Sequence, residues 1–190
     1  MYHIEPFYNW RDSYIASEDE RSPFYGKDDY DFEHPNQIYN YIIHPQWDDI
    51  GSNTLYLKVL FADYENQFAV IEFIGEWNDC INNDIMYVKR NLIDGMLKNG
   101  INKFILVGEN VLNYHRSDDS YYEEWYDDIK DEGGWIAALN FREHVITEMR
   151  AGRLHYYINF GHALNSLLWR KFQPNALLNI VDEMILKALP

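Results

Sequence analysis

A chain of 190 residues, 47% of them apolar, is a folded globular protein long enough for one domain with a sizeable core, and not a disordered chain. No apolar stretch approaches the ~20 residues of a membrane helix, and no basic-then-apolar leader follows Met1. The formal charge of −15 is concentrated in residues 1–33, with nine acids against three bases, and in residues 109–132, with nine against two, a distribution that repels polyphosphate and disfavours binding to DNA or RNA.

Cys80 is the one cysteine, so no internal disulfide is possible and a cytoplasmic location is expected. Both acidic segments are also rich in Tyr, Trp and Phe, as in FYNWRDSYIASEDERSPFYGKDDYDF and YHRSDDSYYEEWYDDIKDE, where disordered acidic tails usually lack rings. These rings either cover the edge of the core or meet a partner, since aromatic and charged residues are the material of interaction surfaces. Residues 1–50 are expected to form an acidic aromatic extension packed on a domain of residues 51–190, with residues 109–132 as an acidic insertion. Tyr121, Tyr122, Trp125 and Tyr126 are the candidate interaction residues.

In chain order, NQIYNYII at 36–43 predicts a short helix ended by Pro45. TLYLKVLFADY and QFAVIEFIGEW, two β-branched and aromatic runs separated by ENQ, predict an antiparallel hairpin. In NNDIMYVKRNLIDGMLKNG, Ile85, Val88, Leu92 and Met96 recur at helical spacing, Asn82 or Asn83 suits the N-cap, and Asn99-Gly100 supplies the stop. INKFILVG is then a short buried strand, parallel to the one before the helix. A short helix around Tyr121–Ile129 follows.

The stretch GGWIAALNFREHVITEMRAG carries two periods at once. Trp135, Ala137, Leu139 and Phe141 alternate as in a strand, while Trp135, Leu139, Arg142, Ile146 and Met149 share one helical stripe. Its length favours one helix from about Trp135 to Ala151, stopped by Gly152. RLHYYINFG predicts another strand, and HALNSLLWRKF a helix with Leu164, Leu167, Leu168 and Phe172 inward. Pro174 fits the first turn of a last helix, with Leu177, Val181, Met184 and Ile185 as its apolar stripe.

The run QFAVIEFIGEWNDCINNDIMYVKRNLIDGMLKNGINKFILVGENVLNYH resembles the first half of a STAS domain, the family of sulphate-transporter tails and anti-sigma-factor antagonists. GGWIAALNFREHVITEMRAGRLHYYINFGHALNSLLWRKF is similar to its second half, so the resemblance covers residues 55–108 and 133–172. It implies a single α/β domain of STAS-like type, whose job is binding and in which the first Gly-Glu merely ends a strand. The Asp-Ser-Ser-Gly of the antagonists has no counterpart before the second helix, which is expected to open on Gly133-Gly134. Ser117 and Ser120 therefore lack the family context of a phosphorylated serine, and Asp118, Asp119 and Glu123 would repel a phosphate there.

The expected architecture is a mixed sheet of four or five strands, an antiparallel hairpin followed by parallel crossovers, with helices mainly on one face. Ligands of such sheets bind at the carboxyl ends of the strands. Three loops leave those ends, carrying Glu76, Asn78, Asp79 and Asp84, then Glu109, Asn110, Asn113 and His115, then Asn159, His162 and Asn165. Glu76, Glu109, His115 and His162 are the catalytic candidates, because paired carboxylates and imidazoles can do acid–base work or hold a divalent cation. Strand ends are polar in any case, and Asn and Asp serve turns and caps there. Arg142 is expected in a structural ion pair, Glu143 and His144 in solvent, and Cys80 as an idle thiol. With no Gly-rich phosphate loop, dinucleotide fingerprint or His-x-x-x-His pair, no cofactor or metal is expected. Two functions stay open: an interaction or regulatory domain that meets a protein partner or itself, away from nucleic acid and membrane, and a small-molecule or metal-dependent enzyme working at the carboxyl edge.

Overall fold

The computed structural model describes residues 2–27 and 36–188; residues 28–35, which close the first acidic run and include His34, lie outside the described residues. The chain begins with β1 (Tyr2–Ile4), β2 (Gln37–Ile38) and β3 (Tyr41–Ile43), a small sheet in the order β1-β3-β2. Residues 36–43 are thus a hairpin and not the expected helix. Tyr39 turns the chain at φ 53°, a value outside any helix, and β3 then pairs in parallel with β1. Ile38 and Ile43 gain an apolar pocket with Trp47, Tyr56, Ile74 and Leu112, which rewards the strand pair.

The main sheet is β4 (Asp48–Asp49), β5 (Leu55–Asp63), β6 (Phe68–Asn78), β7 (Lys103–His115) and β8 (Trp135–Leu139), ordered as numbered. β5 and β6 form the expected antiparallel hairpin, and β6, β7 and β8 run parallel. Between β6 and β7 lie α1 (Asp84–Val88), a π-helical turn over Lys89–Ile93 and α2 (Asp94–Lys98). Over residues 55–108 this succession of strand, strand, helix, strand is the one the STAS resemblance implies. Gly100, at φ 86°, ends the helix as expected, whereas Asn83 makes no side-chain cap; Asp79 takes that role from outside, accepting the Ile85 N–H at 2.8 Å.

β7 is longer than expected, because Gly108-Glu109 lies within the strand and pairing with β6 continues to Asn78 opposite His115. The acidic stretch outside the sheet therefore starts after His115 and holds α3 (Ser120–Lys130), the expected short helix. The expected helix over 135–151 divides into β8 and α4 (Glu143–Ala151). All five β8 residues are buried, the mark of a strand covered on both faces, and Asn140 breaks the chain at φ 56° before the helix. The expected strand at RLHYYINFG is a 3-10 turn over Leu154–Tyr156 with one bridge, Asn159 to Ala137. Arg153 enters that turn at φ 62°, and Leu154 and Ile158 reach the core four residues apart. The helix expected over 162–172 reduces to α5 (His162–Asn165) and a 3-10 turn over Trp169–Lys171, which swings Leu168 out to 61% exposure so that Trp169 can be buried. α6 (Pro174–Ala188) starts at its proline and buries Leu177, Val181 and Ile185.

α1, α2, α3 and α4 cover one face of the sheet over Leu57, Ile71, Phe73, Leu106 and Ala138. α6 covers the other over Phe68, Val70, Ile105 and Leu139, joined there by Trp10 and Trp169. The N-terminal segment is therefore part of the packing. Trp10 is 3% exposed and Phe24 2%.

Candidate functional site

β6 and β7 end side by side, and their last residues form one wall of an open cleft of about 960 Å³. Glu76 and Asn113 are register partners, as are Asn78 and His115, so alternation brings all four polar side chains to one side. Glu76 Oε1 meets His115 Nε2 at 2.5 Å and accepts the Tyr39 hydroxyl at 3.2 Å, while the Asn113 amide donates to that hydroxyl at 3.2 Å. The second wall comes from α4, with His144, Thr147 and Glu148, and the rim from Cys80 and Ile81. His144 is exposed on α4, as expected, and donates from Nε2 to the Leu112 carbonyl at 2.7 Å.

Glu109 is held elsewhere. Its carboxylate pairs with Arg170 at 2.6 Å and accepts the Trp169 indole N–H at 2.8 Å. It lies four residues before Asn113 on β7, about 13 Å along the strand from the level of Glu76. Glu76 and His115 come together, whereas Glu109 shares no partner with either. His162 opens α5 on an exposed edge beside Gly161, apart from the cleft of Glu76 and His115.

Arg170 also reaches Glu72, at 3.5 Å. Glu72 is a fully buried carboxylate in the middle of β6 that accepts the Phe7 N–H at 2.8 Å. Burial pushes it up to about 7, against the pull of the Phe7 amide and Arg170 and with help from Glu109. The sequence alternation hides it: Glu72 sits in an apolar strand among Val70, Phe73 and Ile74, and only the distant Arg170 and Phe7 give it partners.

The turn after β6 is tied by two more buried acids. Asp79 accepts from the Trp77 indole, the Ile85 amide and the hydroxyls of Tyr114 at 3.2 Å and Tyr122 at 2.6 Å. Burial raises it to about 6 in spite of those donors. Asp84 accepts from Ser52 at 2.6 Å, Thr54 at 2.9 Å and the Asn78 amide at 2.7 Å. With their oxygens taken by these donors, both acids brace the turn. Asp94, Glu124 and Asp128 are the acidic group among the described residues spaced to hold a cation. Lys89 occupies it, bonded to Asp94, to Asp128 at 3.0 Å and to Glu124 at 3.4 Å. Burial opposes its charge, but the hydrogen bonds to Asp94 and Asp128 prevail and hold the ammonium above its usual range. The π-turn that points Lys89 inward carries no sequence signal beyond a lysine beside an apolar stripe.

The four candidate interaction residues divide. Tyr122 and Trp125 are core side chains at 0% exposure, Trp125 edge-on to Phe104 at 5.1 Å. Tyr121 and Tyr126 are half-buried on opposite flanks of α3. Arg90 lies over the Tyr121 ring at 5.3 Å, and Tyr126 meets Tyr157 at 6.1 Å. Arg142, expected to pair with an acid, donates instead to the Tyr41 hydroxyl at 3.4 Å.

No protein-family model and no curated protein matches the chain. Among solved structures, it is similar to the crystal structure of a Thermotoga maritima protein provisionally described as an anti-sigma factor antagonist, at 18% sequence identity and a TM-score of 0.40, over 56% of this chain and 86% of that one. No helix among the described residues is long and apolar enough to cross a membrane.

Proposed function

We propose that this protein acts by binding, as a STAS-like interaction or regulatory domain in the cytoplasm, and that it receives a basic segment of a protein partner on the face shared by α3 and the 3-10 turn after α4. One observation carries the reading: a surface row of four rings. Tyr126 lies 6.1 Å from Tyr157, Tyr157 6.4 Å from Tyr156, and Tyr156 4.4 Å from His155. Tyr156 is 63% exposed. Asp119 accepts the Tyr157 hydroxyl at 3.3 Å, and Glu123 and Asp127 stand exposed on the same helix. Arg153 and Lys130 are drawn to Asp119 and Asp127, so acid outweighs base around the rings. Rings framed by carboxylates suit lysine and arginine, which gain cation–π contact and charge attraction together.

Affinity capture from cell extract, with the bound segment mapped, tests this reading. The partner segment is expected to be rich in Lys and Arg, to dissociate as salt rises, and to bind the Tyr126→Ala/Tyr156→Ala variant about tenfold more weakly. A variant that captures the same partner equally well, or a mapped segment without basic residues, overturns it. Gel filtration of the same samples identifies a second copy of the chain as the occupant if that is what binds.

A further inference from the structure

We propose that the cleft at the carboxyl ends of β6 and β7 is a binding site for a small oxyanion, a carboxylate or a phosphate monoester, held by Arg116 and His115. Arg116 follows β7 directly and lines the cleft. It stands out among the arginines of this chain. Acids outnumber bases 31 to 16, and arginine side chains find partners readily in such surroundings. Arg21, Arg90, Arg153 and Arg170 form ion pairs, Arg11 and Arg142 donate to neutral oxygens, and Arg150 lies over the Phe160 ring. Arg116 makes no ion pair, hydrogen bond or ring contact among the described residues. An arginine left open in a cleft offers its planar fork to a carboxylate or phosphate, the groups it binds two-handed.

His115 stands next to it in the chain with its ring fixed. Nε2 is engaged by Glu76, which is itself held by the Tyr39 hydroxyl, and Asn113 holds Tyr39 in turn. That chain of contacts leaves Nδ1 open toward a ligand. Asn78 adds a donor: its Oδ1 accepts the Ile81 N–H at 3.0 Å, which leaves its amide hydrogens for a ligand. The carboxylates in the lining are Glu76 and Glu148; Glu76 is matched by His115, and Glu148 is exposed on α4. A volume of about 960 Å³ suits a metabolite-sized molecule. The same cleft is poorly arranged for a metal, because among the described residues the ligand atoms that converge are those of Asp94, Glu124 and Asp128 and not those of Cys80, His115 and His144.

Titration of the full chain with sodium phosphate and with sodium succinate, against sodium chloride at matched ionic strength, tests the site by the NMR signals of the Arg116 side chain and the His115 ring. Saturable shifts with phosphate, succinate or both support it, and the stronger of the two identifies the anion class. Arg116→Gln and His115→Gln are each expected to weaken binding about tenfold or more, the loss of one charge-assisted hydrogen bond. Arg150→Gln, outside the cleft, is expected to bind as the unaltered chain does. Equal shifts with chloride, no saturable shift at millimolar anion, or full binding by Arg116→Gln overturns the proposal. The interaction face on α3 plays no part in this result.

Discussion

Gly75-Glu76 in β6 and Gly108-Glu109 in β7 are the same dipeptide in neighbouring parallel strands, and the fold uses them in opposite ways. Glu76 stands two residues before the end of its strand, at an open cleft, and meets a histidine that is 48% exposed. Glu109 stands six residues before the end of its strand, where Arg170 and Trp169 close over it beside the buried Glu72. The glycines differ as well. At Gly75, with φ 119°, a Cβ would lie 2.2 Å from the Thr54 carbonyl oxygen, which accepts the Glu76 N–H; at Gly108 it would lie 2.4 Å from the Phe141 ring. A short motif thus has no fixed meaning of its own. What later segments bring to its strand decides whether it becomes surface or seal.

The largest expected effect tests the glycines. Gly75→Ala puts a side chain both into a left-handed backbone and against a main-chain oxygen that β5 cannot move without losing register. Urea unfolding should show a loss of about 3 kcal/mol or more, and trimming Ile38, which lies 2.7 Å from the added carbon, should not restore it. Gly108→Ala meets only a ring and should cost about 1–3 kcal/mol, with part regained in the Gly108→Ala/Phe141→Leu double variant. Equal losses with equal rescue would erase the distinction between the two glycines.

The next effect concerns the acid behind Glu109. Glu72 is raised by burial from the ordinary 4.5 to about 7. The folded state therefore holds that proton more tightly than the unfolded chain. Its contribution is fully present below pH 4.5 and is lost as pH rises through 7, so stability should fall across that window. Glu72→Gln keeps an acceptor for the Phe7 N–H and removes the buried charge. It should raise stability at pH 8 by about 2 kcal/mol and flatten the slope between pH 5 and 7 to what Asp79, raised to about 6, and the buried Asp84 and Asp48, also raised, still supply. A variant with an unchanged pH slope, or one less stable at pH 8, would show that Glu72 is not the group that titrates. Glu109→Gln should cost about 1–2 kcal/mol, since it breaks a charge-assisted pair, and should lower the Glu72 midpoint in a carbon-detected titration because it removes one of the charges that raise it.

These carboxylates also mark what could be read in advance. The hairpin, the helix at 84–98 and the last helix follow from periodicity and from Asn-Gly and Pro signals that act locally. Trp135–Leu139 misleads because a strand buried on both faces shows no polar alternation, and its alanines and leucine suit a helix equally well. What separates the two, Asn140 at φ 56° and the cover given by α6, lies in backbone and tertiary structure. Tyr39 shows the same limit: its left-handed turn makes a hairpin of a segment that reads as a helix. Of the polar residues at the strand ends, Glu76 and His115 could be proposed from spacing. The partition of Glu76 from Glu109 could not, because Arg170 and Trp169 come from about sixty residues further along the chain. The open Arg116 emerges only once every other arginine has been given its partner.

The smallest expected effect is the one that bears most on the comparison. Glu76→Gln removes the carboxylate that meets a half-exposed imidazole while keeping an acceptor for the Tyr39 hydroxyl, so its cost in urea unfolding should stay within about 0.5 kcal/mol. The charge at Glu76 is then free to serve the cleft, where it holds the His115 ring in place, whereas the charge at Glu109 serves the packing of Trp169 and Arg170. A loss at Glu76 as large as the one at Glu109 would mean that both carboxylates are structural and that the open cleft is held together by the pair it exposes.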